Sequence, residues 1–157
     1  GCGLVSLAAA ALGATVTATD IPEVLTTVTT RNIAANSLRL QGTITATVLV
    51  WGTTDLEPDF GSGSGWWDMV VASDVVYRAD HARLLLATLE GVVGPGRKAL
   101  VSYDRRGREG IKTFLESCVA NFAVREVDNA IEMPVGYRFV HYGMVELTRR
   151  QPEESEP

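Results

Sequence analysis

The sequence holds little of what marks a specialised protein. Only two cysteines, Cys2 and Cys118, occur in 157 residues. They make no disulfide framework and no Cys-x-x-Cys pair, so reduced thiols in a cytoplasmic compartment are expected. The two histidines, His81 and His141, lack ligand-spaced partners, and no metal site is expected. No apolar run approaches the ~18 residues of a membrane helix, and no stretch reads as a signal peptide. Basic charge is also short: 14 Lys and Arg against 19 Asp and Glu leave a net charge of -5. That gives no electrostatic footprint for nucleic acid. There is no internal repeat, and no initiator methionine. The chain opens on Gly1-Cys2-Gly3 and runs straight into an apolar helix. Such a glycine turn normally follows a strand, so the sequence reads as a fragment cut inside its first loop.

What is present is ordinary for one globular domain, with 46% hydrophobic and 21% charged residues. The stretch from Trp66 to Tyr77 organises the rest. Its unbroken apolar run, Met69 to Ala72, predicts a strand buried on both faces, as the centre of a parallel sheet requires. The run stops at Ser73-Asp74, at the strand end where open α/β sheets bind ligands. Trp66 and Trp67 should pack the entry to this strand.

In chain order, Leu4–Leu12 predicts a helix, apolar all round and hence buried. The β-branched run ending at Asp20 predicts a strand. Pro22 to about Ala35 predicts a helix, with Asp20 and Glu23 spaced like a capping box. Strands are expected over 43–50, 98–103, 122–127 and 143–148, and helices over 79–93 and 108–121. Residues 53–65 read as an acidic surface loop, and residues 150–157 as a disordered acidic tail. This alternation predicts an α/β fold with a mostly parallel sheet. The last two strands have no helix between them and should form an antiparallel pair at one edge.

Several residues could carry chemistry, and each also has a structural reading. The glycine turn before a helix lets backbone N–H groups approach a ligand, or it is only a tight connection. Asp20 lies 17 residues after Gly3. It could accept the two hydroxyls of a ribose, or cap the next helix. Trp51 could wall an adenine ring or pack the core. Asp74, with Tyr77 three residues on, could line a site or cap a turn. Arg105, Arg106 and Arg108 read as a solvated loop.

Taken together, Gly-Cys-Gly-Leu-Val-Ser-Leu at 1–7, Val-Thr-Ala-Thr-Asp at 16–20, Trp51-Gly52 and Ala-Ser-Asp-Val-Val-Tyr at 72–77 carry a resemblance. The chain resembles the class I S-adenosylmethionine-dependent methyltransferases, which share a seven-stranded Rossmann-like fold. Within them it is most similar to the non-histone protein-lysine methyltransferases of the methyltransferase-like type, which modify chaperones, elongation factors and other cytosolic proteins. The resemblance implies one domain over residues 1–149, a protein substrate and a monomer. It implies that Gly1 and Gly3 line the methionine part of the cofactor, Asp20 holds its ribose, Trp51 packs on its adenine and Ser73 lies against it. Asp74 and Tyr77 would sit beside the methyl-acceptor pocket. The sequence departs from the family at its start. The acidic residue, leucine and first glycine of the family's glycine motif are absent, with the sheet's first strand and an upstream tryptophan. The fragment by itself is therefore expected to be inactive. A small-molecule methyltransferase and a non-catalytic partner-binding module remain as alternatives.

Overall fold

The computed structural model describes residues 1–52, 67–106, 109–127 and 142–151. The predicted loop at 53–65, Trp66, Arg108 and the tail from residue 152 lie outside them. The chain divides into two compact units, Gly1–Val50 and Trp51–Pro157.

In the first unit the glycine turn leads into helix α1, Leu4–Ala11. Strand β1, Thr15–Asp20, follows. Its β-branched residues suit a pleated surface. It pairs in parallel with strand β2, Thr43–Val48, in the register Thr15↔Thr43 through Asp20↔Val48. A single helical stretch connects them in three parts. These are α2 at Pro22–Val24, a π-helical segment at Leu25–Thr29 and α3 at Thr30–Asn36. A 3₁₀ turn, Ser37–Arg39, ends it. Pro22 starts the helix as its sequence predicts, but the N-cap is Ile21 and no side chain caps it. Asp20 and Glu23 form no capping box, because the Asp20 carboxylate instead accepts the N–H of Ile21.

Helix α1 differs from expectation. Only Ala10 is buried, and Leu12 is 87% exposed. Among the described residues, the helix packs on a sheet of two strands. That surface is too narrow to cover a helix that is apolar on every side.

In the second unit, four strands lie in the order β3-β4-β6-β5. They are β3 at Met69–Ser73, β4 at Lys98–Asp104, β5 at Phe122–Glu126 and β6 at Tyr142–Arg149. The β3–β4 pair is parallel, while β6 runs antiparallel to both β4 and β5. The last two strands thus pair as their sequence predicts, with β6 inserted beside β4. Helices α4, Ala79–Val92, and α5, Glu109–Cys118, pack against each other. Leu85, Leu89, Val101, Phe114, Phe122 and Leu147 are at most 3% exposed and form the core with their neighbours. Each such side chain contributes about 1.5–3 kcal/mol through burial. Trp67 packs against this core as expected.

Strand β3 is not buried on both faces. Val70 and Ala72 pack on the core, whereas Met69 and Val71 are 51% and 47% exposed. Among the described residues, β3 is an edge strand with β4 as its one strand neighbour. An unbroken apolar run cannot reveal that one of its faces lacks a cover. Among the described residues no helix is long and apolar enough to cross a membrane.

Candidate active site

In the first unit the site residues gather at the C-terminal end of β1. One oxygen of Asp20 accepts the Ile21 N–H at 2.8 Å, and the other accepts from the Gly1 amine. Gly3 sits at φ 78, a left-handed backbone open mainly to glycine, and its carbonyl accepts the N–H of Leu7 to begin α1. Two residues the sequence had not singled out hold this turn from behind. The Thr29 hydroxyl donates to the Gly1 carbonyl, and the Asn32 amide donates to the Cys2 carbonyl, each at 2.8 Å.

In the second unit the candidate residues lie at the end of the parallel β3–β4 pair. Ser73 pairs with Ser102, and the Ser102 hydroxyl donates to that of Ser73 at 3.0 Å. The Asp74 N–H donates to the Ser102 carbonyl at 2.9 Å, which extends the ladder by one bond. The backbone then turns sharply. Asp74 has φ 50 and is, among the described residues, the one non-glycine residue with positive φ. Aspartate tolerates this region better than most residues, yet such strain costs of order 1 kcal/mol and concentrates at functional sites. Val76 is buried and anchors the segment, while Tyr77 is half-exposed. Beyond it, Arg78 caps α4 and pairs with Asp80, whose carboxyl is held below its usual range by the Arg78 hydrogen bond.

Trp51-Gly52 is held by α4. The Gly52 N–H donates to the buried Thr88 hydroxyl at 3.0 Å, which in turn donates to the Leu84 carbonyl at 2.9 Å. Gly52 has φ 79, and a Cβ there would fall 2.5 Å from Leu84 Cδ2. Glycine after Trp51 is thus what this close turn needs. Trp51 packs partly on the core and meets His81 edge-on, with ring centroids 6.4 Å apart.

Arg105 and Arg106 are exposed, as a solvated loop would have them, yet each is paired with a carboxylate. Asp104 ends β4 and is 4% exposed. Its carboxylate accepts Nε, Nη2 and the backbone N–H of Arg106. This contact holds the guanidinium above its ordinary range. Arg105 pairs with Glu126 on the surface. Nothing in a lone Asp-Arg-Arg predicts a buried carboxylate, since burial depends on the strand register.

The two groupings offer different chemistry. A partly buried carboxylate at a strand end, a phenol and paired hydroxyls can draw in and orient a cationic amine. A carboxylate at the end of a parallel strand, next to a left-handed glycine turn, can accept vicinal hydroxyls and present backbone N–H groups.

Comparison with known proteins identifies the family. The family described as lysine methyltransferase matches residues 1–121. Protein N-lysine methyltransferase METTL21A of Danio rerio is 34% identical over 133 residues, covering 81% of this chain and 56% of that protein. EEF1A lysine methyltransferase 3 of Xenopus tropicalis is 28% identical over 127 residues, covering 81% and 54%. The chain thus spans about half the length of these relatives. Among solved structures, the S-adenosylmethionine-dependent methyltransferase SibL in its apo form superposes with a TM-score of 0.62 over 96% of this chain and 48% of that one, at 18% identity. That likeness concerns the fold: an α/β methyltransferase architecture with mostly parallel strands and antiparallel edge strands. The chain belongs to the lysine methyltransferase family.

Proposed function

We propose that the full-length protein transfers a methyl group from S-adenosylmethionine to the side-chain amine of a lysine in another cytoplasmic protein. The observation that carries this reading to particular residues is Asp74, a carboxylate held in a left-handed backbone at the end of the parallel β3–β4 pair. Family membership supplies the reaction class.

The residues fit the cofactor by their chemistry. Asp20 has acceptor capacity for the ribose hydroxyls beyond its present partners, since an ionised carboxylate offers about four lone-pair sites. Gly1 and Gly3 line the methionine part with a turn that carries no Cβ. Trp51 faces the adenine with an aromatic surface, and Ser73 lies against the cofactor. When bound, S-adenosylmethionine supplies an electrophilic methyl group on a sulfonium.

The acceptor side is the work of Asp74 and Tyr77. Lysine has a reference pKa of ~10.4 and must lose a proton before it can attack. A carboxylate stabilises the charged ammonium and opposes that loss. Asp74 is therefore assigned the attraction and orientation of the incoming side chain, with the proton leaving to water. Tyr77 offers a cation–π face or a hydroxyl acceptor. Rate comes chiefly from alignment of the amine, which such positioning residues provide.

The finer fold reading belongs to the same proposal. Residues 1–149 form one methyltransferase domain, followed by a tail over 150–157, and the protein acts as a monomer. The fold has seven strands, the first of them N-terminal to Gly1. In support, β1 has β2 as its one strand neighbour and β3 has β4, among the described residues.

Asp74→Ala in the full-length protein tests the reading. Transfer should fall about a hundredfold, as loss of alignment typically produces. The affinity for S-adenosylmethionine should stay within about twofold, since Asp74 is placed on the acceptor side. Undiminished turnover would remove Asp74 from the site.

A further inference from the structure

The helical stretch behind the glycine turn is irregular. Five residues, Leu25–Thr29, form a π-helical segment with α-helix on both sides. The sequence supplies a cause. The Thr26 hydroxyl donates to the Pro22 carbonyl at 3.0 Å, and the Thr27 hydroxyl donates to the Glu23 carbonyl at 2.6 Å. Threonine hydroxyls bonded back one turn compete with the backbone ladder and distort it. One extra residue in a turn rotates every later side chain by roughly 100° about the axis, the angle one residue occupies in an α-helix. Such bulges occur often at functional sites.

The rotated face is the one that meets the glycine turn. Thr29 and Asn32 are three residues apart and so lie on one side of the helix. Thr29 is 3% exposed, and its methyl group lies 3.2 Å from where a Gly3 Cβ would stand. Its hydroxyl and the Asn32 amide take the carbonyls of Gly1 and Cys2, two successive peptide groups.

A trans peptide is planar, and its N–H points opposite to its C=O. Holding the Gly1 and Cys2 carbonyls toward the helix therefore aims the N–H groups of Cys2 and Gly3 the other way. Those are the donors at the entry of α1, where a helix N-terminus favours a negatively charged group.

We infer that Thr29 and Asn32 are positioning residues for cofactor binding, fixing the two peptide planes of the glycine turn so that its N–H groups face the methionine carboxylate of S-adenosylmethionine. The inference rests on the cofactor assignment made above. Neither residue touches the cofactor; both act through the turn.

The test is calorimetric binding of S-adenosylmethionine to the full-length protein and to three variants, alongside denaturation curves. Thr29→Val keeps the shape and removes the donor. Thr29→Ser keeps the donor and removes the methyl group. Asn32→Ala alters a partly exposed position and keeps the fold accessible if Thr29→Val does not fold. Thr29→Val and Asn32→Ala should each weaken binding about tenfold, the value of roughly one hydrogen bond, while Thr29→Ser stays close to the unaltered protein. A purely structural tie would lower the denaturation midpoint and leave the affinity of the folded protein alone. Binding by both donor-lacking variants within about twofold of the unaltered protein would overturn the inference, because a lost donor should cost more than that. If the unaltered protein does not bind S-adenosylmethionine, the cofactor assignment itself fails and takes the inference with it.

Discussion

Gly110 offers a sharp test of how the acceptor side is held. It is the second residue of α5 and is buried. A Cβ placed there would lie 2.4 Å from the Arg78 carbonyl oxygen, 2.6 Å from its carbon and 2.8 Å from its nitrogen. Non-bonded carbon contacts settle near 3.5–4.0 Å, so something must move by about 1 Å. All three atoms are backbone, and Arg78 directly follows Tyr77, so no flexible side chain can give way. Two effects of Gly110→Ala compete. Alanine gains up to ~1 kcal/mol of helix propensity, less in a first turn. Overpacking against fixed atoms costs ~1–3 kcal/mol. Overpacking wins, and the variant should be less stable by about 1–2 kcal/mol, read from equilibrium denaturant unfolding at unchanged m-value. Because the displaced backbone carries Tyr77, the KM for the protein substrate should rise while cofactor affinity holds. A variant as stable as the parent, or more stable, would show that α5 does not clamp Arg78.

Three further outcomes follow from the second unit. Thr88→Val removes the hydroxyl that holds the Gly52 N–H. It should cost about 0.5–1.5 kcal/mol in unfolding measurements, the net value of one hydrogen bond, since Gly52 is exposed and water can replace the lost partner, and weaken cofactor binding through Trp51. Phe114→Ala empties a site with no solvent exposure. Thermal or denaturant unfolding should show a loss of about 3–5 kcal/mol, and a loss below about 1 kcal/mol would mean the core there collapses freely. Burial pushes the Cys118 thiol up from 9.0 to about 12. In the unfolded chain the thiol loses its proton near pH 9, while the folded chain keeps it, so stability present below pH 9 is lost as pH rises toward 12. Unfolding curves at stepped alkaline pH should decline across that window, and Cys118→Ala should flatten part of the decline. An identical slope in that variant would assign the effect to other groups, such as Tyr103, which burial also pushes up.

The sequence made the alternation of elements legible, because strand and helix periods are local. The Gly1–Gly3 turn could be placed from its residues, Asp20 from its spacing, and the Ser73-Asp74 end of β3 from the stop of an apolar run. What stayed hidden depended on register and on long-range contact. Ser102 matters because the parallel β3–β4 register sets it beside Ser73. Asp104 is buried because β4 runs one residue further than its apolar pattern indicates. Thr29 and Asn32 reach the glycine turn through a π-helical segment, and the four threonines at 26, 27, 29 and 30 signalled only weak helix propensity. The burial of α1 and β3 was misjudged for a related reason. An apolar run reports what a segment could bury, and the cover it meets is decided by other parts of the molecule.

The central claim is the methylation of lysine in a protein. The direct measurement incubates the full-length protein with S-adenosylmethionine labelled in its methyl group and a cell lysate, then hydrolyses the labelled protein to amino acids. The account predicts label recovered as methyl-lysine, and its loss with Asp74→Ala. Label in another amino acid, or no label in protein while the cofactor is bound, would contradict it.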